Sequence, residues 1–454
     1  MNIIIRLRYT FSIFFLIGIS SCAEFVDIDP PRTDLIKGAV FSSNETANAA
    51  ALDMYYQLHF MGFASGDVSS ISLIASLSTD ELINGITFDQ NWQQFNDNTL
   101  LPTNTLILSL WTDMYKGIYK ANAIIEGLAA SDGVTENLKN QLNGEAKFIR
   151  AFCYFYLVNL WSDVPLVLST DYKVNQSIGR TPKDQVYDQI VSDLEEAKLL
   201  LSDDFSYSNN ERVRANKDVA TALLARVYLF LEDWTNADAQ ASAIIDNTST
   251  YNLVPLNDVF LKNSNEAIWQ LLPNTFGNTH DVETFLFYGH QINSQLMEAF
   301  EPGDQRKINW IENGVFGSYD YPVKYKDYNS TLSEYTVIFR LAEQYLIRAE
   351  ARTQQNNISG AQDDLNSIRT RAGLGDTPAG DKASLLAAIE QERRVELFTE
   401  WGHRWFDLKR TGRVDAVLSP VKTDWESTDA LYPIPEAQIM NDPTMRNSQN
   451  PGYN

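Results

Sequence analysis

Apolar residues recur at helical spacing along most of the chain. Trp111, Tyr115, Ile118, Tyr119 and Asn122 fall at i, i+4, i+7, i+8 and i+11, which predicts one stripe of a helix running into Ile124 and Ile125. In FIRAFCYFYLVNLW (148–161), apolar residues cover most of the circumference, with Phe148, Phe152, Phe155, Tyr156 and Trp161 as the largest. Such a helix is expected to be buried on several sides, with Cys153 inside it as a small core residue.

Two stretches read as the same unit, a helix, a turn and a second helix. The first is 220–245, with its turn at Asp233–Asn236, and the second is 341–369, with its turn at Asn356–Ser359. In both, a first-helix alanine (Ala225, Ala349) precedes a second-helix alanine (Ala237, Ala361) by twelve residues. Small residues at such points let two helices approach closely, as in tetratricopeptide-type hairpins. Ala151 marks the first helix of a third unit whose second helix is 183–201, with Pro165 and Gly179 in an insertion between them. The fold class expected is mostly α: a tetratricopeptide-like helical-hairpin scaffold in a single compact domain.

Residues 247–335 break the pattern. They hold eleven asparagines, and glycine and proline punctuate each short apolar run. Eleven aromatic residues fall within 276–328, among them Tyr288, Trp310, Phe316 and Tyr319. A loop-rich, aromatic-rich excursion is expected here, and loops held by a rigid body are where function concentrates. A second loop-like region, 79–105, holds Asp80, Phe88, Trp92 and Phe95 among Asn, Gln and Thr.

The N-terminus has a different layout. Arg6 and Arg8 precede an apolar run, Tyr9 to Ile19, too short to span a bilayer, and Ser20-Ser21 precede Cys22. The pattern is similar to a bacterial lipoprotein processing site: residues 1–21 would be a signal peptide and Cys22 the lipidated first residue. The alternative is an ordinary signal peptide cut nearby, leaving Cys22 a free thiol. Residues 22–38, acidic and carrying Pro30-Pro31, read as a spacer, and 39–454 as the body.

Composition then narrows the function. With 36 Lys+Arg against 59 Asp+Glu, the formal charge is −23, and loss of Arg6 and Arg8 with the signal peptide takes it to −25. Nucleic-acid binding needs a basic face, and so does attachment to anionic lipid. Two cysteines exclude a disulfide framework and a four-cysteine zinc site. No GxSxG, HExxH, Walker, GxGxxG or CxxC motif occurs, and the four histidines are isolated. A carboxylate pair of the glycosidase type has no sequence pattern to find. No cofactor is expected; a structural Ca²⁺ is compatible with the acidity, but no loop has its ligand spacing.

The last third carries a family resemblance. IFRLAEQYLIRAEA (338–351), LNSIRTRAGL (365–374), ERRVELFTEWGHRWFDLKRTGR (392–413), LYPIPEAQI (431–439) and QNPGY (449–453) resemble the SusD/RagB family of outer-membrane nutrient-binding lipoproteins. STDEL (78–82) and 110–128 fit as well, as does Cys22 with its spacer. Read as residues, the 392–413 stretch gives a buried stripe with Val395, Leu397 and Phe398, interrupted at Gly402 and restarted at Trp405 and Phe406. Its Arg, Glu and Asp residues are expected to pair along the helix or with neighbours; the alternative is an Arg/Asp/Trp cluster that binds a ligand carboxylate. The two proline-containing segments are suited to lacing the terminus across the body.

The resemblance implies a lipid-anchored protein on the outer face of the outer membrane. It would act without catalysis, gripping a nutrient as a lid on a SusC-like TonB-dependent transporter. Aromatic faces that stack on sugar rings, and amides that bond hydroxyls, agree with a glycan; acidity favours a neutral or cationic ligand. The residues expected to grip are Trp92, set in the Gln/Asn-rich QNWQQFND, then Tyr288, Trp310 and Tyr319, with Asp80 and Asn91 as hydrogen-bonding groups. Trp111, Trp161 and Trp405 are assigned to the core. Rival readings are a binder of peptides or other nutrients, a glycoside hydrolase, and a pure protein-interaction scaffold.

Overall fold

The computed structural model describes residues 37–60, 62–273, 276–314 and 319–453. Cys22, the signal segment and most of the spacer therefore lie outside the described residues, as does Phe316. What is described is mostly helical. The helix Glu136–Trp161 runs through the centre, and Phe148, Phe152, Phe155, Tyr156 and Trp161 are all buried on it, as its apolar circumference requires. Cys153 is buried there too, and burial pushes its thiol far above the ordinary value.

The helical pairs form as their sequences dictate. Asn216 opens the helix Lys217–Phe230 by accepting from the Val219 N–H at 3.0 Å, and Asp233 opens Trp234–Ile245 by accepting from Asn236 at 3.1 Å. Capping of this kind satisfies N–H groups that have no partner inside the helix. Leu341–Gln354 and Ile358–Arg371 repeat the arrangement, with Asn356 at φ 61° in the turn between them. Ala225, Ala237, Ala349 and Ala361 are fully buried. Ala225 and Ala237 share one cluster with Ile347 and Ala351, so the second pair stacks on the first. The third pair is Glu136–Trp161 with Lys183–Leu200, locked by Arg150 on Asp193 (2.8 and 2.6 Å). Its insertion carries a small ladder, Val164–Pro165 against Arg180–Thr181.

The excursion is not a surface appendage. Its strand Ala267–Leu271 pairs antiparallel with Thr336–Arg340, and every residue of both strands is buried. Trp269 and Phe339 of this ladder meet Phe152 of the central helix at 5.3 and 6.0 Å in edge-on contacts, a geometry worth about 0.5–1.5 kcal/mol per pair beyond area burial. The region 79–105 also differs from expectation. Residues Gln90–Asp97 are a helix, capped by Asp89, with Trp92 and Phe95 on its buried side.

A network of buried charges joins the excursion to the C-terminal motif. Arg340 reaches Glu266, Glu396 and Glu400, while Arg306 reaches Asp304, Glu392 and Glu396. Lys324 pairs with Glu400 and Arg371 with Glu266 and Glu396. Arg393 donates to Asp407 at 2.7 Å, so the charges of 392–413 pair with neighbouring elements. Gly402 adopts φ 70° where a side chain would meet Ala75 and Phe406, and the helix His403–Arg410 begins there. The proline-rich segments lace the terminus as expected: Tyr432 donates its N–H to the Leu160 carbonyl, and Trp161 Nε1 to the Pro433 carbonyl.

Candidate functional site

Two segments far apart in sequence are joined at one surface. Leu82–Ile83 pairs antiparallel with Gln291–Ile292, in the register Leu82 with Ile292. Just beyond the ladder the two backbones press together, since a Cβ on Gly85 would lie 1.7 Å from the Gly289 carbonyl oxygen. Gly289 itself has φ 66°, a conformation glycine adopts without strain. A side chain there would stand 3.3 Å from the Tyr319 hydroxyl, which places Tyr319 against the same turn.

Tyr288, which ends the helix His280–Phe287, is 37% exposed. Behind it stands Trp92, with ring centroids 5.5 Å apart at 78°. Trp92 is only 7% exposed, and its Nε1 donates to the Val68 carbonyl at 3.0 Å. It therefore props Tyr288 from behind and offers no open face. His290 packs edge-on against Trp92 at 5.3 Å, fully buried. Neither of its ring nitrogens has a hydrogen-bond partner among the described residues, and burial lowers its pKa to about 4. The imidazole is thus neutral and belongs to the foundation.

Phe88 is 85% exposed on the loop between Gly85 and the Asp89 cap. That loop is fixed from within, because Asn84 Nδ2 donates to the Ile86 carbonyl and to Gln93 Oε1, both at 3.0 Å. The surface thus carries two exposed or half-buried tyrosines and an exposed phenylalanine on a rigid base. The Tyr288 and Tyr319 hydroxyls and the Gln291 amide make no hydrogen bonds among the described residues. Ring faces beside unused hydroxyl and amide groups can stack on an apolar sugar face and bond its hydroxyls.

The expected residues are brought together only in part. Trp92, Tyr288 and Tyr319 converge here. Trp310 does not: it is fully buried, donates Nε1 to the Leu256 carbonyl at 3.0 Å and packs on Phe260 and Phe398, so it is a core residue. Asp80 is 3% exposed and accepts from Arg404 (2.9 and 3.0 Å) and Arg394 (2.7 Å). Burial alone would raise its pKa; the bonds from Arg404 and the charges of both arginines outweigh it and hold the carboxyl below its ordinary value. Asn91 uses its Oδ1 to accept from the Thr105 N–H and hydroxyl, at 3.2 and 3.1 Å. Asp80 is therefore a buried structural group, while Asn91 is half-buried and spends its carbonyl oxygen on Thr105. Phe88 is not among the expected residues, yet it is the most exposed ring on this loop. The signal was Asp89, a helix cap that places Phe88 outside the helix and Trp92 one turn inside it.

No helix among the described residues is long and apolar enough to cross a membrane, and no cluster of three metal-binding side chains occurs among them.

Comparison with known proteins follows the same lines. Residues 46–229 match a family model described as starch-binding, associating with the outer membrane, and residues 295–453 match the model of the SusD family. SusD-like protein P25 of Formosa agariphila is 25% identical, covering 100% of this chain and 99% of its own. Among solved structures, a laminarin-binding SusD-like protein is 25% identical with a TM-score of 0.77, over 90% of this chain and 100% of its own. Surface glycan-binding protein A from Bacteroides thetaiotaomicron, in complex with laminarihexaose, shares the fold, with a TM-score of 0.76 at 20% identity over 90% of this chain and 99% of its own. The first model ends before the excursion, the second begins within it at residue 295, and together they span most of the body: the chain belongs to the SusD/RagB family.

Proposed function

We propose that this protein binds a neutral oligo- or polysaccharide at the Phe88–Tyr288–Tyr319 surface and delivers it to a SusC-like TonB-dependent outer-membrane transporter. It does so without catalysis, from the cell exterior, tethered by lipid on Cys22. The observation that carries the reading is Tyr288, a 37% exposed ring backed edge-on by Trp92, beside hydroxyl groups that make no hydrogen bonds among the described residues. A rigid aromatic platform binds at low entropic cost, because its rotamer is set before the ligand arrives. Laminarin binding by a SusD-like relative of the same fold supports a glucan as the first ligand to try.

Affinity gels and calorimetry with laminarin and other neutral polysaccharides test it. Wild-type protein is expected to be retarded by at least one of them, and Tyr288→Ala to weaken that binding tenfold or more with the melting temperature little changed. Retention of cationic peptides but of no glycan would replace the ligand class. Hydrolysis of a glycan by the purified protein would overturn the absence of catalysis.

A further inference from the structure

A concave surface lies at the other end of the helix His280–Phe287. His59, on the helix Asn44–Phe60, stands 5.5 Å ring to ring from His280, the first residue of the helix that Tyr288 terminates. Around His59 opens a groove of about 750 Å³ between the Asn44–Phe60 helix, residues 207–214 and residues 271–273. Two exposed rings line it: Tyr56 and Phe60, one helical turn apart, are 57% and 49% exposed, with centroids 4.5 Å apart. Their exposure is unusual for neighbouring aromatic rings on a helix, whose large apolar side chains normally turn inward.

The groove is lined largely by apolar side chains, Leu52 and Leu272 among them, and the polar groups set between these are uncommitted. The Tyr56 and Tyr207 hydroxyls, the Asn209 side chain and the Asn48 Nδ2 make no hydrogen bonds among the described residues, although the Asn48 Oδ1 accepts from Arg214. The charges that line it are all compensated. Asp53 is paired with Lys120, Glu211 with Lys262 and Arg214 with Glu145. A charged ligand would find no unpaired partner, and a flat protein surface would not fill a concavity of this size. Exposed ring faces, free hydroxyl and amide groups and neutral walls match the chemistry of an uncharged sugar.

We propose that this groove is a second sugar-binding subsite, taking a distant stretch of the same neutral polysaccharide chain that Tyr288 holds. The inference rests on the proposed function and adds a second point of contact to it. The eight-residue helix between the two surfaces is about 12 Å long, so a chain of several sugar units reaches both. Once one end is bound, the other meets its subsite at high effective concentration, and affinity grows with chain length without any new contact at Tyr288.

Calorimetry with laminarin, or whichever neutral polysaccharide retards the wild type most, and with its trisaccharide provides the test. The double variant Tyr56→Ala/Phe60→Ala, and separately Tyr207→Ala, should weaken the polysaccharide tenfold or more and leave the trisaccharide unchanged. Tyr288→Ala should weaken both ligands. If Tyr288→Ala weakens binding while the groove variants bind polysaccharide like the wild type, the second subsite is overturned and the first stands. If no neutral glycan binds the wild type, both fall together. Circular dichroism of each variant separates lost binding from lost fold, and the exposure of Tyr56 and Phe60 predicts unchanged spectra.

Discussion

Replacing Arg340 by methionine should destabilise the whole body, by an amount the geometry sets. The guanidinium is 2% exposed and donates to Glu400 at 2.7 and 2.9 Å, to Glu396 at 2.5 Å, to Glu266 at 3.0 Å and to the Glu396 carbonyl at 2.8 Å. Without it Glu266 keeps Arg371, Glu400 keeps Lys324, and Glu396 keeps Arg306 and Arg371. Removing one partner from a buried ionic network costs about 3–5 kcal/mol, because the remaining charges stay buried and under-compensated. Unfolding entropy near 2.1 cal/mol/K per residue gives roughly 0.9 kcal/mol/K for a chain of this length, so the melting temperature should fall by about 3–6 °C. The deficit should also depend on pH. Burial pushes the Glu396 and Glu400 carboxyls up, but the charges of Arg371, Arg340 and Arg306 on Glu396, and of Arg340 and Lys324 on Glu400, outweigh it and hold both below the ordinary value. Acids depressed in the folded state stabilise it fully above their unfolded pKa, about 4.3, and lose that contribution as pH falls through the folded values. Thermal melts of wild type and Arg340→Met at pH 7 and pH 3 read both effects. A deficit under 1 °C at pH 7, or an equal deficit at the two pH values, would refute the reasoning.

Trp310→Ala should cost about 3–5 kcal/mol of stability in denaturant melts, because it empties a fully buried site; a soluble variant of wild-type stability would place Trp310 at a ligand surface after all. His290, with its pKa lowered by burial to about 4, binds fewer protons folded than unfolded between roughly pH 6.5 and 4. Stability should therefore fall by up to about 3 kcal/mol as pH drops through that window, and His290→Phe should flatten this part of the melting profile. Cys153, buried with its thiol pushed upward, should react with a thiol reagent only after denaturant is added.

The helical body was legible because a repeating period states both the element and its buried face. Ala225 and Ala237, or Ala349 and Ala361, need no distant information to mark a close helical pair. The excursion carried no such period. Whether Trp310 or Tyr288 faces water depends on partners far along the chain: Phe398 packs on Trp310, and Trp92 stands behind Tyr288. Aromatic density raised the expectation of a binding surface, yet it could not distinguish a ring that fills the core from one that leaves it. QNWQQFND was misread for a local reason. Its amides resemble a loop, while the Asp89 cap and the i, i+3 pair Trp92 and Phe95 describe a short helix with one buried side.

Asp80 shows how the family motif reaches the candidate site through the strand beneath it. The ladder between Leu82–Ile83 and Gln291–Ile292 has two residues on each side, too little to hold itself in water. What holds it lies immediately before it in the chain. Asp80 is clamped by Arg394 and Arg404, the Glu81 carboxylate accepts from Ser76 at 2.7 Å, and the Glu81 carbonyl accepts from the Asn293 N–H at 2.8 Å. Arg394 and Arg404 belong to the stretch 392–413, whose Gly402 passes so close to Ala75 that a Cβ there would lie 2.9 Å from the Ala75 side chain. The motif thus anchors the strand that meets Gly289 and so sets the position of Tyr288. The arginines and the aspartate of 392–413 look in sequence like a carboxylate-binding cluster; in the fold Arg393 and Arg410 pair with Asp407, and Arg394 and Arg404 with Asp80, beneath the ladder that carries the candidate surface.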